Sequence, residues 1–115
     1  MSTPFTAVLE TLTRQRGVRA SLVVGAKDGM TIESNLQIGQ DGNRVAALAA
    51  SLYRKARKSS AAAGLGATGF MQLEAETGRI CALGGEEIVL VVVADRTANV
   101  GLIRVEMLRA AEALA

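Results

Sequence analysis

The spacing of apolar residues divides the first third of the chain into a helix and two strands. Residues 5–12 carry apolar side chains at helical spacing directly after Pro4, which predicts a first helix that ends near Gly17. Two strand-like runs follow at residues 18–26 and 31–33. The turn between them contains Asp28-Gly29, and Asp-Gly between two such runs is typical of a β-hairpin.

A long stretch without glycine, residues 43–63, is rich in alanine and predicts a second helix. Its length would be about 30 Å, at about 1.5 Å per residue. The apolar stripe expected to face the core consists of Val45, Leu48, Ala49, Leu52 and Ala56. The final third is basic, with Arg54, Lys55, Arg57 and Lys58. A basic run of this kind is typical of a solvated helix end, and the main alternative is a surface that binds another protein.

The second half of the pattern predicts three strands and a last helix. Glycines at positions 64, 66 and 69 end the second helix, and strands are expected at residues 70–76, 79–83 and 88–94. The last strand is apolar on both faces, so it should lie in the middle of the sheet with helices on each side. Asp95 and Thr97 are the expected N-cap residues of a third helix. The fold class is therefore α/β, of the α+β type.

Composition indicates one domain over residues 1–115 and excludes the common catalytic sites. The chain has one proline and no Pro-rich linker along which it could divide.

With no histidine and one cysteine, the chain cannot form a Ser-His-Asp triad, a Cys-His pair or a zinc site of the usual ligands. The G-x-G-x-x-G spacing at residues 64–69 follows a helix and precedes a strand, the reverse of a dinucleotide-binding turn. We predict no enzyme activity, no cofactor and no metal.

Charge and cysteine content bear on the cellular setting. The lone Cys81 cannot form an internal disulfide, and no basic-then-apolar segment resembling a signal peptide opens the chain, so a cytoplasmic location is expected. The apolar run at residues 88–94 is far shorter than the roughly 20 residues that span a bilayer. A net charge of +2 is a weak argument for nucleic acid. We therefore predict neither a membrane nor a nucleic-acid partner.

Two segments carry a family resemblance. The first runs from Leu22 to Ile32 and contains a strand, the Asp-Gly turn and a second strand. The second is the apolar strand at residues 88–94, which leads into an Asn-x-Gly-x-x-Arg pattern from Asn99 to Arg104. Both resemble the roadblock/dynein light chain family, and the order of elements matches over nearly the whole chain. The resemblance implies a profilin-like, five-stranded antiparallel sheet in the order 2-1-5-4-3, with the second helix on one face and the first and third helices on the other.

The resemblance also implies a homodimer, formed through the third strand and the second helix of each copy. The outer edge of the strand at residues 70–76 would otherwise expose unpaired backbone groups. Small side chains on the second helix would let two such helices approach closely. The predicted dimer interface consists of Ala46, Ala50, Phe70, Met71, Gln72, Leu73 and Glu74.

The resemblance to prokaryotic roadblock proteins implies a setting in which the chain is a partner of a small Ras-like GTPase. The resemblance implies a non-catalytic homodimer that binds such a GTPase across the paired second helices and either stimulates GTP hydrolysis or only recruits its partner. The predicted contacts lie opposite the apolar stripe and are Arg44, Ala47, Ser51, Arg54, Lys55 and Lys58. The alternatives are a scaffold subunit of a signalling or motility complex and, less favoured in a chain with so few aromatic residues, a small-molecule sensor.

Overall fold

The computed structural model describes residues 4–36 and 41–114, which form one antiparallel sheet and three helices. The elements in chain order are α1 (Pro4–Thr13), β1 (Val18–Gly25), β2 (Thr31–Leu36), α2 (Gly42–Ala62), β3 (Met71–Glu74), β4 (Gly78–Gly84), β5 (Ile88–Asp95) and α3 (Val100–Leu114). The strand order is β2-β1-β5-β4-β3, as predicted. β3 is shorter than expected, with four residues in place of the predicted range 70–76.

Helices cover both faces of the sheet and enclose two apolar layers. α1 and α3 pack on one face through side chains that include Leu9, Leu12, Ile103 and Met107. α2 packs on the other face. The central strand β5 supplies both layers, since Leu90 and Val92 lie under α1 and α3 whereas Val89 and Val91 lie under α2. The continuous apolar run of β5 therefore reflects a strand that is covered on both sides.

The buried face of α2 differs from the prediction. Its core residues are small, namely Ala46, Ala49 and Ala50, together with Tyr53. Leu48 and Leu52, which were expected to face the core, are 57% and 36% exposed. The predicted stripe is thus wrong at these two positions, because alanine side chains let the helix lie close to the sheet and no room remains for leucine. Ala46 and Ala50 are completely buried inside the chain, so their predicted place between two helices is also wrong.

Tyr53 fixes α2 to the sheet by polar contacts. Its hydroxyl lies 3.1 Å from the carbonyl oxygen of Thr68 and 3.0 Å from that of Gly84, and it accepts the Gly84 N–H at 3.0 Å. The ring is almost completely buried. A buried hydroxyl needs such partners, so Tyr53 both fills the layer and sets the position of α2 relative to the end of β4.

The start of α3 lies later in the chain than predicted. Asn99 is the capping residue, since its side-chain oxygen accepts the Leu102 N–H at 3.1 Å. The expected caps lie in the preceding turn, where the Asp95 carboxylate accepts the Thr97 N–H at 2.8 Å and the Thr97 hydroxyl at 2.6 Å. Arg19 completes the site with an ion pair of 3.2 Å. These hydrogen bonds, and secondarily Arg19, hold the pKa of Asp95 below its ordinary value.

Replacing Asp95 with asparagine should lower the melting temperature at neutral pH but not in strong acid. The folded-state pKa of Asp95 is lowered, so its contribution to stability is present above its unfolded pKa, near pH 4, and is lost as the pH falls through the folded value. Thermal unfolding followed by circular dichroism from pH 7 to pH 2 would test this. The other carboxyl groups titrate in both proteins and cancel in the difference. An equal difference at pH 2 and pH 7 would contradict the assignment.

Candidate protein-binding surface

The outer edge of β3 is open within the described chain. β3 pairs with β4 through the register that joins Met71 to Ala82 and Glu74 to Arg79, and it is the last strand of the sheet. Gln72, Leu73 and Glu74 are all exposed. An edge strand that is exposed on both faces presents backbone N–H and C=O groups on which a further strand can pair.

The two side-chain faces of β3 differ in chemistry. Met71 and Leu73 pair with Ala82 and Ile80, which belong to the layer under α2, so they lie on the α2 face of the sheet. Gln72 pairs with Cys81 of the opposite layer, and Glu74 follows it on that side. The α2 face of this edge is therefore apolar, and the other face is polar.

One flank of α2 carries exposed leucines on the same side of the sheet. The opposite flank faces the β1–β2 turn, since Arg54 donates to the Ala26 carbonyl at 2.8 Å and Ala47 lies beside Gly29. Val45 packs against the same layer as Met71, and Leu48 and Leu52 follow it at spacings of three and seven residues. We call the set Leu48, Leu52, Met71 and Leu73 the apolar band. All four residues lie on the same face of the sheet, with Leu48 and Leu52 on α2 and Met71 and Leu73 on the edge strand β3.

The structure divides the predicted dimer residues into three groups. Met71 and Leu73 lie in the apolar band. Phe70 lies on the other face, packed against the α3 layer with the Arg104 guanidinium 5.4 Å from its ring centroid, and Gln72 and Glu74 share that face. Ala46 and Ala50 are in the core. Leu48 and Leu52 were missed as surface residues because the sequence assigned them to the interior.

The predicted partner contacts on α2 are spread around its outer surface. Arg44, Ala47, Lys55 and Lys58 are exposed, and Ser51 and Arg54 are half-buried. Arg54 and Lys58 line a groove at the end of α2, whereas Lys55 does not. This basic groove has a volume of about 360 Å³, and its walls are Arg54, Arg57, Lys58, Ala61, Gly66 and Ala67.

Two arginines in the basic groove are held by backbone carbonyls. Arg54 donates through one terminal nitrogen, Nη1, to the carbonyl oxygens of Ala26 at 2.8 Å and Lys27 at 3.3 Å. Arg57 donates through its own Nη1 to the Gly85 carbonyl at 2.9 Å. The ion pairs found between described residues involve other arginines, at positions 14, 19, 79 and 109. The positive charge of the groove is thus not paired with an acidic side chain of residues 4–36 or 41–114.

The thiol, possible metal ligands and helix hydropathy can each be assessed within the described residues. Cys81 is a free, buried thiol, and burial raises its pKa against the opposing effect of Arg79, so it is protonated at neutral pH. Within residues 4–36 and 41–114, no three potential His, Cys, Asp or Glu ligands are grouped to hold a metal ion. In the same ranges, no helix has both the length and the hydropathy to cross a membrane. The distinctive surfaces are the apolar band and the basic groove.

Comparison with known proteins places this architecture in a family. The profile of the Roadblock/LC7 domain matches residues 5–94. The uncharacterized protein MJ1340 of Methanocaldococcus jannaschii is 38% identical over 105 residues, which cover 91% of each chain. The chain therefore belongs to the Roadblock/LC7 domain family, and the prediction from its sequence is confirmed.

Solved structures share the same fold. Myxococcus xanthus MglB superposes with a TM-score of 0.85 at 24% identity, covering 97% of this chain and 92% of that one. An MglB described as having a tetrameric arrangement gives a TM-score of 0.86 at 25% identity, covering 100% and 90%. The predicted sheet order and arrangement of helices are thus those of roadblock proteins.

Proposed function

We propose that this protein is a cytoplasmic, non-catalytic homodimer that binds a small Ras-like GTPase and regulates it. The observation that carries the proposal is the apolar band beside the free edge of β3. Membership of the Roadblock/LC7 family and the tetrameric arrangement described for one MglB support self-association as a property of such chains.

A two-fold contact would cover both parts of this surface together. If β3 of one copy pairs antiparallel with β3 of the second, the two sheets become one and the free edges are removed. The bands of the two copies, each with Leu48 and Leu52 on α2, then meet on the same face of the joined sheet. Such an isologous contact uses the same residues from each copy, so an apolar patch meets an apolar patch.

The dimer would present a platform suited to a protein partner. Two α2 helices would lie near each other, with Arg44, Ser51 and Lys55 on the sides that face away from the sheet. A GTPase that contacts this platform through its switch regions would bind differently in its GDP and GTP states, because those regions change order with the nucleotide. The regulator would then shift the population of states without supplying reacting atoms.

The test is whether binding depends on the nucleotide. Ras-like GTPases encoded in the same genome should be purified and titrated by calorimetry with this protein, each loaded with GDP or with a non-hydrolysable GTP analogue. We expect at least about tenfold difference in Kd between the two states, equivalent to about 1.4 kcal/mol. Single-turnover hydrolysis then separates stimulation from recruitment. Equal affinity in both states, with an unchanged hydrolysis rate, would contradict regulation and favour the scaffold alternative.

A double substitution provides the site-specific control. Ala47→Glu with Ser51→Glu should weaken GTPase binding and leave the mass of the dimer unchanged, since both positions lie on the flank of α2 that faces the β1–β2 turn, opposite the apolar band. Binding that is unaffected by these changes would place the GTPase contact elsewhere on the protein.

A further inference from the structure

The arginine side chains of the basic groove at the end of α2 are held in place by hydrogen bonds, unlike those of a fully solvated helix end. Arg54 and Arg57 lie one turn apart and are each tied to a different turn of the sheet, the β1–β2 turn and the β4–β5 turn. Fixing a long side chain when a ligand binds usually costs conformational entropy. Here the hydrogen bonds to the two turns already fix both arginine side chains before a ligand binds. The two guanidinium groups are therefore preorganised.

These arginines retain donors for a ligand. A guanidinium carries five N–H donors, and the hydrogen bonds above use only the Nη1 group of each residue. Lys58, one residue further along α2, adds an exposed ammonium to the same wall. The lining of the groove contains no acidic side chain, and guanidinium and ammonium groups that share such a lining favour carboxylates or phosphates.

The opposite wall of the groove is small and shaped by glycine. Gly64 and Gly66 have positive φ angles of 74° and 84°, a conformation that favours glycine. The Ser60 hydroxyl donates to the Gly66 carbonyl at 2.6 Å and fixes this loop against α2. Gly66 and Ala67 leave room for a short polypeptide segment beside the cations.

We infer that the basic groove binds an acidic segment of a partner protein, with carboxylates seated against Arg54, Arg57 and Lys58. This inference names the chemistry of the partner at the surface proposed above, and to that extent it rests on the proposed function. A nucleic acid fits less well, because no aromatic side chain lines the groove for stacking.

The experiment uses the full chain and a fluorescein-labelled hexaglutamate peptide, followed by fluorescence anisotropy in low salt. Lys58→Gln is compared with Arg96→Gln, which removes one positive charge from an exposed position outside the groove, after the far end of β5. We expect Lys58→Gln to raise Kd about fivefold, the upper range for one exposed charge pair, and Arg96→Gln to raise it less than about twofold. Arg57→Gln should raise it about tenfold, because its guanidinium is fixed in place.

Three results would overturn the inference. Equal weakening by Arg96→Gln and Lys58→Gln would mean that the peptide responds to overall charge. Affinity for hexaglutamate no greater than for hexaglutamine would mean that the groove does not select carboxylates. If a six-nucleotide single strand bound more tightly than hexaglutamate, and Lys58→Gln weakened that binding, the groove would be assigned to nucleic acid. The peptide assay contains no GTPase, so a failure of Ras-like GTPases to bind would contradict the proposed function alone.

Discussion

Replacing Leu48 with arginine should convert a dimer into a folded monomer of 11.9 kDa. Leu48 is 57% exposed in the single chain, so the substitution leaves the core intact. In the proposed dimer it would bring a charge into the apolar band of each copy, and the symmetry doubles the effect. Truncating a hot-spot residue costs about 2 kcal/mol or more, and such a loss in each copy adds to about 4 kcal/mol, so we expect the dimer Kd to rise by about 1,000-fold.

Light scattering coupled to size-exclusion chromatography at micromolar concentration measures this change directly. The matched control is Leu102→Arg, because Leu102 is also an exposed leucine on a helix but lies on α3, across the sheet from the band. The control should keep twice the monomer mass. A wild-type protein that is already monomeric, or a Leu102→Arg variant that dissociates as readily, would refute the proposed interface.

The second large effect is expected at Ala50, where arginine should unfold the protein. Ala50 has no exposed surface and lies in the layer with Leu22 and Val91. Arginine there would be an unpaired buried charge in a space that holds one methyl group. The loss should exceed about 3 kcal/mol, a large part of the roughly 5–15 kcal/mol that stabilises a domain. Urea unfolding followed by circular dichroism at 222 nm would show it.

Ala47→Arg is the control for this test, since it makes the same change three residues earlier on an exposed side of α2. Its free energy of unfolding should stay within about 0.5 kcal/mol of the wild-type value. If Ala50→Arg proved equally mild, α2 would have to pack with its leucines inward, as the sequence pattern first indicated.

The strands were the most predictable part of the fold. The apolar run at residues 88–94 indicates a strand covered on both faces, and Asp28-Gly29 indicates a hairpin, because few other structures are compatible with these local patterns. The full sheet order came from the family resemblance, since the local hairpin signal pairs β1 with β2 but does not tell which of the other strands lies next to them. Asn99 was passed over as a cap because Asp95 and Thr97 carry the same chemistry a few residues earlier.

The orientation of α2 could not be obtained from hydrophobicity alone. Leu48 and Leu52 form one helical stripe and Ala46, Ala49, Ala50 and Tyr53 form another, and a scale that ranks leucine above alanine selects the first. The distance between α2 and the sheet decides which stripe is buried, and this distance depends on tertiary packing. The apolar band was missed for this reason, since it contains the very residues assigned to the core. The basic groove joins α2 to two turns that are distant in sequence, so only its charge was visible beforehand.

The close seating of α2 on alanine has a consequence for how such proteins can diverge. Positions 46, 49 and 50 admit only the smallest side chains, so sequence drift on this helix is confined to its outer surface. Related copies could therefore exchange leucine, charge or serine along that surface while the sheet beneath stays unchanged. One scaffold would then serve many recognition specificities, and partner choice would evolve almost independently of folding.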